Sequence, residues 1–317
     1  MSKSWRCYLA FGFLWTTCFA GAAITDLAAQ SEAGSQQIRM ALIQRQQKSS
    51  TNPLSDIKQP GSEVSFRLYN RHMVVVQGST IDGYPLNLMI DTGSTHSVVD
   101  ERIVQKLQLK PLPETTHTLE AFGQSLDRPR VLLRGLQFGP IRTSLLCFVA
   151  GLPWSGVDAI IGLDLLRQNN FTIDFESKKI SFGPRTTHFL SKIPFEADSS
   201  QVIVAVRIGE QRVRLSLDTG ARTINLYRSR MSKSIRSLPV KRDIPFVHVG
   251  GTSMYREVLL PSVQLNGSQW EQVPAMLMGF YGHQPDPVEY DGVLGLGALK
   301  IKRIYIDFQE HILSWER

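Results

Sequence analysis

From residue 66 onward, short apolar runs alternate with clusters of Gly, Pro, Asn, Asp and Ser, the rhythm of strands joined by turns. Met73 to Gln77 and Val202 to Ile208 are rich in β-branched residues. Each is followed by a turn and a second apolar run, Leu86-Asn87-Leu88-Met89-Ile90 and Val213-Arg214-Leu215-Ser216-Leu217. Thr172 to Phe175 and Lys179 to Phe182, with Glu176-Ser177-Lys178 between them, predict a β-hairpin; Arg303 to Phe308 and His311 to Trp315 predict another. Helical spacing is confined to Val99–Leu107, Leu163–Gln168 and Leu296–Lys300. Pro111, Pro113, Pro129 and Pro261 suit loops or sheet edges. The pattern is that of an all-β protein.

These elements form two copies of one unit. Both apolar runs close on the same tripeptide, Asp91-Thr92-Gly93 and Asp218-Thr219-Gly220, at an offset of 127 residues. The same offset pairs Ile81 with Ile208, Gly123 with Gly250, Val131-Leu132-Leu133 with Val258-Leu259-Leu260, and Gln137 with Gln264. After a six-residue insertion the offset becomes 133 and aligns Ile160-Ile161-Gly162-Leu163 with Val293-Leu294-Gly295-Leu296. It continues through Leu166 and Leu299, Ile173-Asp174-Phe175 and Ile306-Asp307-Phe308, and Ser181-Phe182 and Ser314-Trp315. Ordered matches with one gap predict a duplicated domain, with lobes at 66–190 and 191–317.

A strand ending in Asp-Thr-Gly, present twice, resembles the active-site segment of aspartic proteases of the pepsin and retropepsin group. The resemblance covers roughly residues 66 to 317 and is closer to retropepsins, because each lobe is short and is followed by its Ile-Ile-Gly-like element. Retropepsins assemble from two identical subunits, whereas here both copies lie in one chain, as in pepsins and in bacterial exported proteins of this plan. The resemblance implies a bilobal, all-β, pepsin/retropepsin-like fold and an aspartic endopeptidase with catalytic Asp91 and Asp218. It also implies a peptide or protein substrate, no metal, no organic cofactor and a monomer.

The chemistry explains why two such segments are needed. Neighbouring carboxylates cannot both ionise, so they share a proton and hold a water between them. One takes a proton from that water while its protonated partner stabilises the carbonyl oxygen; the near symmetry leaves open which aspartate is the base. Thr92 and Thr219 are expected to lock the two loops together, and Gly93 and Gly220 to let the backbone turn close to the carboxylates. The next residue is Ser94 in one copy, whose hydroxyl is expected to donate to its carboxylate, and Ala221 in the other, which predicts a less acidic working pH. Arg222 stands where retropepsins often carry an acid. Candidate substrate-covering flaps are His117–Leu126, with Phe122-Gly123 at the tip, and Phe246–Met254, with Gly250-Gly251; the tyrosine of typical pepsin flaps is missing from the first. Asp164 and Asp174 read as a helix-start and a hairpin residue, and His96 as a surface or cleft-wall residue.

Composition narrows the alternatives. Hydrophobic content of 42% and charged content of 20% are those of a globular protein. Lys3, Arg6, the apolar stretch Tyr8–Phe19 and the small residues Ala20-Gly21-Ala22-Ala23 read as a secretory leader, residues 1–22, with Ala29 a second cleavage point. The competing reading is an uncleaved anchor, since Cys7–Ile24 is 18 residues long and near the lower limit of a membrane span. Export to the periplasm or beyond is therefore expected, with membrane contact only if the leader is retained. Residues 23–65 read as a polar linker or pro-segment, and a silencing pro-segment would make the chain zymogen-like. The formal charge of +7 is spread over scattered basic groups, with no aromatic-interleaved stripe, so no nucleic-acid partner is expected. Cys7 and Cys18 fall in the leader, leaving Cys147 as a lone buried thiol. Asn170-Phe171-Thr172 and Asn266-Gly267-Ser268 match the glycosylation tripeptide. A non-cleaving peptide-binding protein on the same scaffold is the alternative to an enzyme; intact aspartates and glycines in both motifs weigh against it.

Overall fold

The computed structural model describes residues 62–112, 117–121, 124–185, 188–248, 251–279 and 290–317. The leader and the polar segment through residue 61 lie outside the described residues. The fold is all-β and duplicated, as the repeat predicts.

Each copy is built around one crossing of strands. In the first, Pro85–Ile90 carries Asp91 at its end, and the short strand Ala159–Ile161 lies parallel to it, Met89 opposite Ile160 and Ile90 opposite Ile161. The other edge of Ala159–Ile161 pairs antiparallel with Val98–Asp100. In the second copy Gln211–Asp218 pairs in parallel with Gly292–Gly295, Leu217 opposite Leu294, and Ile224–Tyr227 takes its other edge. The inserted strand is thus wedged between the strand entering the motif and the strand leaving it. Such strands are covered on both faces, which is why they read as continuous apolar runs; Leu88, Ile90, Ile161, Leu215 and Leu217 are fully buried.

The copies share a six-stranded antiparallel layer. Its order is Ser191–Pro194, Ile312–Glu316, Arg303–Asp307, Phe171–Asp174, Lys179–Phe182 and the first half of Ser62–Tyr69. Three strands come from each copy, and the central pair places Ile173 opposite Ile304 and Phe171 opposite Ile306. The second half of Ser62–Tyr69 leaves this layer to pair with Met73–Ser79. Beneath the layer the aromatic contacts repeat as well: Phe66 packs edge-on against Phe175 at 6.0 Å, and Phe195 against Phe308 at 5.9 Å. Across the seam Arg303 pairs with Asp174 at 2.8 Å, and Asn170 with Asp307 at 2.9 Å. Asp174 also accepts from the backbone amides of Glu176 and Ser177, the hairpin role read from sequence.

Most departures lie at element ends and in elements without apolar periodicity. The first helix is Glu101–Lys106, capped by Asp100, whose side chain accepts from the amide of Arg102. The helix predicted at 163–168 is one turn, Leu163–Leu166, and its counterpart tightens to a 3-10 turn, Leu296–Ala298. A further turn of helix at Lys233–Arg236, the bridging strand Ser62–Tyr69 and the edge strand Ser191–Pro194 escape the hydrophobic pattern. Cys147 is fully buried, and burial pushes its thiol pKa up. Ile173 is fully buried at the seam. Ile173→Ala should therefore lower unfolding stability by about 2–5 kcal/mol, the range for an aliphatic core truncation; urea denaturation checks it, and a loss below half that range would mean the seam is not part of the cooperative core.

Candidate active site

The two Asp-Thr-Gly turns meet and grip each other through four hydrogen bonds. Thr92 N donates to Thr219 Oγ1 at 3.1 Å and Thr219 N donates to Thr92 Oγ1 at 3.1 Å. Each hydroxyl then donates to the opposite copy, Thr92 Oγ1 to Leu217 O at 2.9 Å and Thr219 Oγ1 to Ile90 O at 2.7 Å. Both threonines are buried. Every donor has an acceptor, which matters because a buried polar group without one is costly.

The glycines make room for the aspartates of the other copy. A Cβ on Gly93 would lie 2.4 Å from Asp218 Cγ, and one on Gly220 would lie 3.1 Å from Asp91 Cγ. A second pair of glycines fits the inserted strands beneath: a Cβ on Gly162 would lie 2.7 Å from His96 O, and one on Gly295 would lie 2.3 Å from Thr223 O. Ile-Ile-Gly and Val-Leu-Gly therefore end in glycine because the chain leaving each motif passes directly over them.

Asp91 and Asp218 face each other across the two turns, near enough to interact electrostatically, and keep part of their surface open to solvent. Desolvation raises both pKa values. Asp91 is pushed well up, first by burial and then by the charge of Asp218. Burial raises Asp218 as well, opposed first by its interaction with the Asp91 carboxyl and then by the backbone, its Oδ1 accepting from Gly220 N at 2.7 Å and Ala221 N at 2.8 Å. Asp91 Oδ1 accepts from Gly93 N at 2.8 Å. Hydrogen bonds to the charged form favour ionisation; each carboxylate receives them from its own turn, and the two titrate as one coupled pair.

Other expected residues fall at varied distances from this pair. Ser94 does not donate to Asp91: its hydroxyl is turned to His96 O at 2.6 Å, because the chain curls back over Gly162 and presents that carbonyl. Ala221 meets Asp218 through its amide alone. His96 is exposed, its ring 5.5 Å from that of Phe148. Arg222 is exposed, four residues beyond Asp218. Of the flap residues, Phe122, Gly123 and Gly250 lie outside the described residues, and Gly251 opens the strand Gly251–Leu265. The flanking strands pair antiparallel, His117–Ala121 with Gln124–Arg128 and Arg242–His248 with Gly251–Leu265.

Three supports went unread in the sequence. Asp164 is a clamp and more than a helix start: it accepts from Ser97 N at 2.9 Å and Ser97 Oγ at 2.7 Å, while Gly162 N donates to Ser97 Oγ at 3.0 Å. Asp158 and Asp291, each two residues before the apolar pair of an inserted strand, accept from the amides of Asn87 and Arg214, both at 2.8 Å. Their recurrence at an offset of 133 was a signal in plain view. Gln201 reaches across to Gly93 O at 3.4 Å and accepts from Ser216 Oγ at 2.9 Å.

This fold and this pair of aspartates define a retropepsin-like aspartic protease scaffold held in one chain. Comparison with known proteins points the same way. Residues 78–168 match a family described as "gag-polyprotein putative aspartyl protease", and residues 204–298 match a family described as "Aspartyl protease", one match per copy. The chain is also similar to DNA damage-inducible protein 1 of Candida glabrata, 25% identical over 112 residues. That stretch is 35% of this chain and 26% of the relative, so the chain spans about a quarter of the length of the curated relative it matches.

Two outcomes follow from the lock and the charge. Thr92→Val keeps the shape but orphans Leu217 O and Thr219 N, and should cost about 1–3 kcal/mol per buried group by urea unfolding; Thr92→Ser, which restores the hydroxyl, should recover most of it. The raised pKa values make the folded chain bind more protons than the unfolded chain, so this pair's contribution to stability falls as pH rises above about 4. Asp91→Asn should therefore melt at a higher temperature than wild type at pH 7, with the gap closing towards pH 4. A lower melting temperature at pH 7 would show that the pair is not under electrostatic strain.

Proposed function

We propose that the protein is an aspartic endopeptidase in which Asp218 and Asp91 activate a water between them. The observation that carries this reading is the facing, partly exposed pair of carboxyls held by the threonine lock. Asp218, ionised, takes a proton from the water as its oxygen attacks the carbonyl carbon of the substrate. Asp91, protonated, gives its proton to the carbonyl oxygen, so a neutral tetrahedral diol forms and the negative charge passes to Asp91. Collapse of the diol returns a proton to the amide nitrogen, the C–N bond breaks, and the carboxyls regain their starting state. Catalysis needs one carboxyl charged and one not, so the rate should follow a bell in pH.

The backbone-only solvation of both carboxylates supports a working pH less acidic than that of an enzyme with a hydroxyl on each side. A single chain supplies both aspartates, which supports a monomeric unit acting on peptides or proteins. The two antiparallel hairpins would serve as flaps. Export, to the periplasm or as a secreted protein, is part of the proposal and rests on the leader-like residues 1–22.

Cleavage of a diverse peptide mixture by the purified chain, scanned from about pH 3 to pH 8, tests the reading; Asp91→Asn and Asp218→Asn should each lower kcat/KM by at least about 10²–10⁴-fold. Wild-type protein that binds peptides without cutting them would establish the non-cleaving alternative. Cleavage that survives in either variant would remove the two-carboxylate mechanism.

A further inference from the structure

A cavity of about 120 Å³ lies beside the second Asp-Thr-Gly turn, with Thr219 and Ala221 in one wall. It is built from both copies. Arg71 and His72 reach it from the turn joining the first two strands, Lys300 from the end of the second copy's 3-10 turn, and Phe175 and Leu296 supply apolar surface. No acidic side chain lines it. Arg71 and Lys300 are exposed at its rim, and neither has an ion-pair partner among the described residues. Two unpaired cations over an apolar floor have the chemistry of a receptor for a small anion with a hydrocarbon tail.

The corresponding residues of the other copy are held differently. In the other copy the residue equivalent to Lys300 is Arg167, and its guanidinium donates to Ser199 O at 3.2 Å, tying the turn down. Ser199 is matched by Asn70, at the offset of 129 that aligns Ser62 with Ser191 and Phe66 with Phe195. Asn70 O is instead taken by His72 Nδ1 at 2.8 Å, so Lys300 has no such tether. Gln201, equivalent to His72, spends its amide on Ser216 and Gly93. The hairpin turn that carries Arg71 is left-handed at Asn70 and Arg71, with φ of 49° and 68°, and Lys300 is left-handed, at 49°, where the chain leaves the 3-10 turn. Left-handed backbone at non-glycine residues costs energy and is retained where the surroundings impose it.

We infer that this inter-copy cavity is a binding site for a small carboxylate, its charge held by Arg71 and Lys300 and its short alkyl tail set against Phe175 and Leu296. Burial and the charge of Arg222 lower the His72 pKa, so at neutral pH the site's charge comes from Arg71 and Lys300. The carboxylate belongs either to a free short-chain acid or to the C-terminus of a peptide; the chemistry of recognition is the same. Because both copies form the walls, an occupant holds them together and stabilises the folded chain in proportion to its saturation.

The test is direct binding, on full-length Asp91→Asn protein so that turnover plays no part and failure of the protease reading leaves it intact. Sodium propionate, N-acetylalanine and their neutral amides are titrated at constant ionic strength, followed by saturation-transfer NMR and calorimetry. Saturable binding of propionate or N-acetylalanine, absent for the matching amide, is expected; which of the two binds identifies the free acid or the chain terminus as source. Arg71→Gln and Lys300→Gln should each weaken it at least tenfold, and the double variant should abolish it, with circular dichroism unchanged. Equal binding of acid and amide, no saturable binding of either acid, or wild-type affinity in the folded double variant would each overturn the proposal.

Discussion

Two carboxyls that repel each other must be kept in contact, and the Thr92–Thr219 lock is what does it. Its four hydrogen bonds join the ends of two strands that belong to different copies, so neither aspartate can retreat into its own half. Removing charged groups from water is expensive, and the pair meets that cost by holding one proton rather than two charges. The rest of the architecture serves the lock. The six-stranded layer fixes one copy on the other, the inserted strands fix each motif within its own copy, and the glycines remove the atoms that would collide.

Symmetry and its breaking divide the labour. The scaffold is repeated faithfully: the inserted strands, the paired phenylalanines beneath the layer and the carboxylates of Asp158 and Asp291 all recur. The chemistry is not repeated. Asp218 Oδ1 accepts from two backbone amides, Gly220 N and Ala221 N, and Asp91 Oδ1 from Gly93 N, so unlike donor sets hold the two carboxylates within a near-symmetric frame. Behind the first motif Ser97 and Asp164 form a polar clamp, where the second copy has Ile224 and Gly297. A fused duplication can hold such differences; two identical subunits related by symmetry cannot, except by distorting.

The second copy's surroundings extend this asymmetry outward. His72 and Lys300 depart from Gln201 and Arg167: they line a cationic cavity, whereas Arg167 is tied to Ser199 O and Gln201 to Gly93 O.

Sequence alone determined the class of fold and the identity of the paired aspartates. Apolar runs of strand length, repeated in order at one offset with a single gap, leave little choice of architecture, because burial of alternating or continuous apolar residues is a local property of the chain. The strand-Asp-Thr-Gly pattern was legible for the same reason. Contacts between residues distant in sequence were not. That Ser94 turns to His96 O, that Asp164 clamps Ser97, and that Asp218 Oδ1 accepts from both Gly220 N and Ala221 N depend on which carbonyl or amide happens to face each group. Hydrogen-bond direction and desolvation are set by the packed surroundings, and only the tertiary structure decides them.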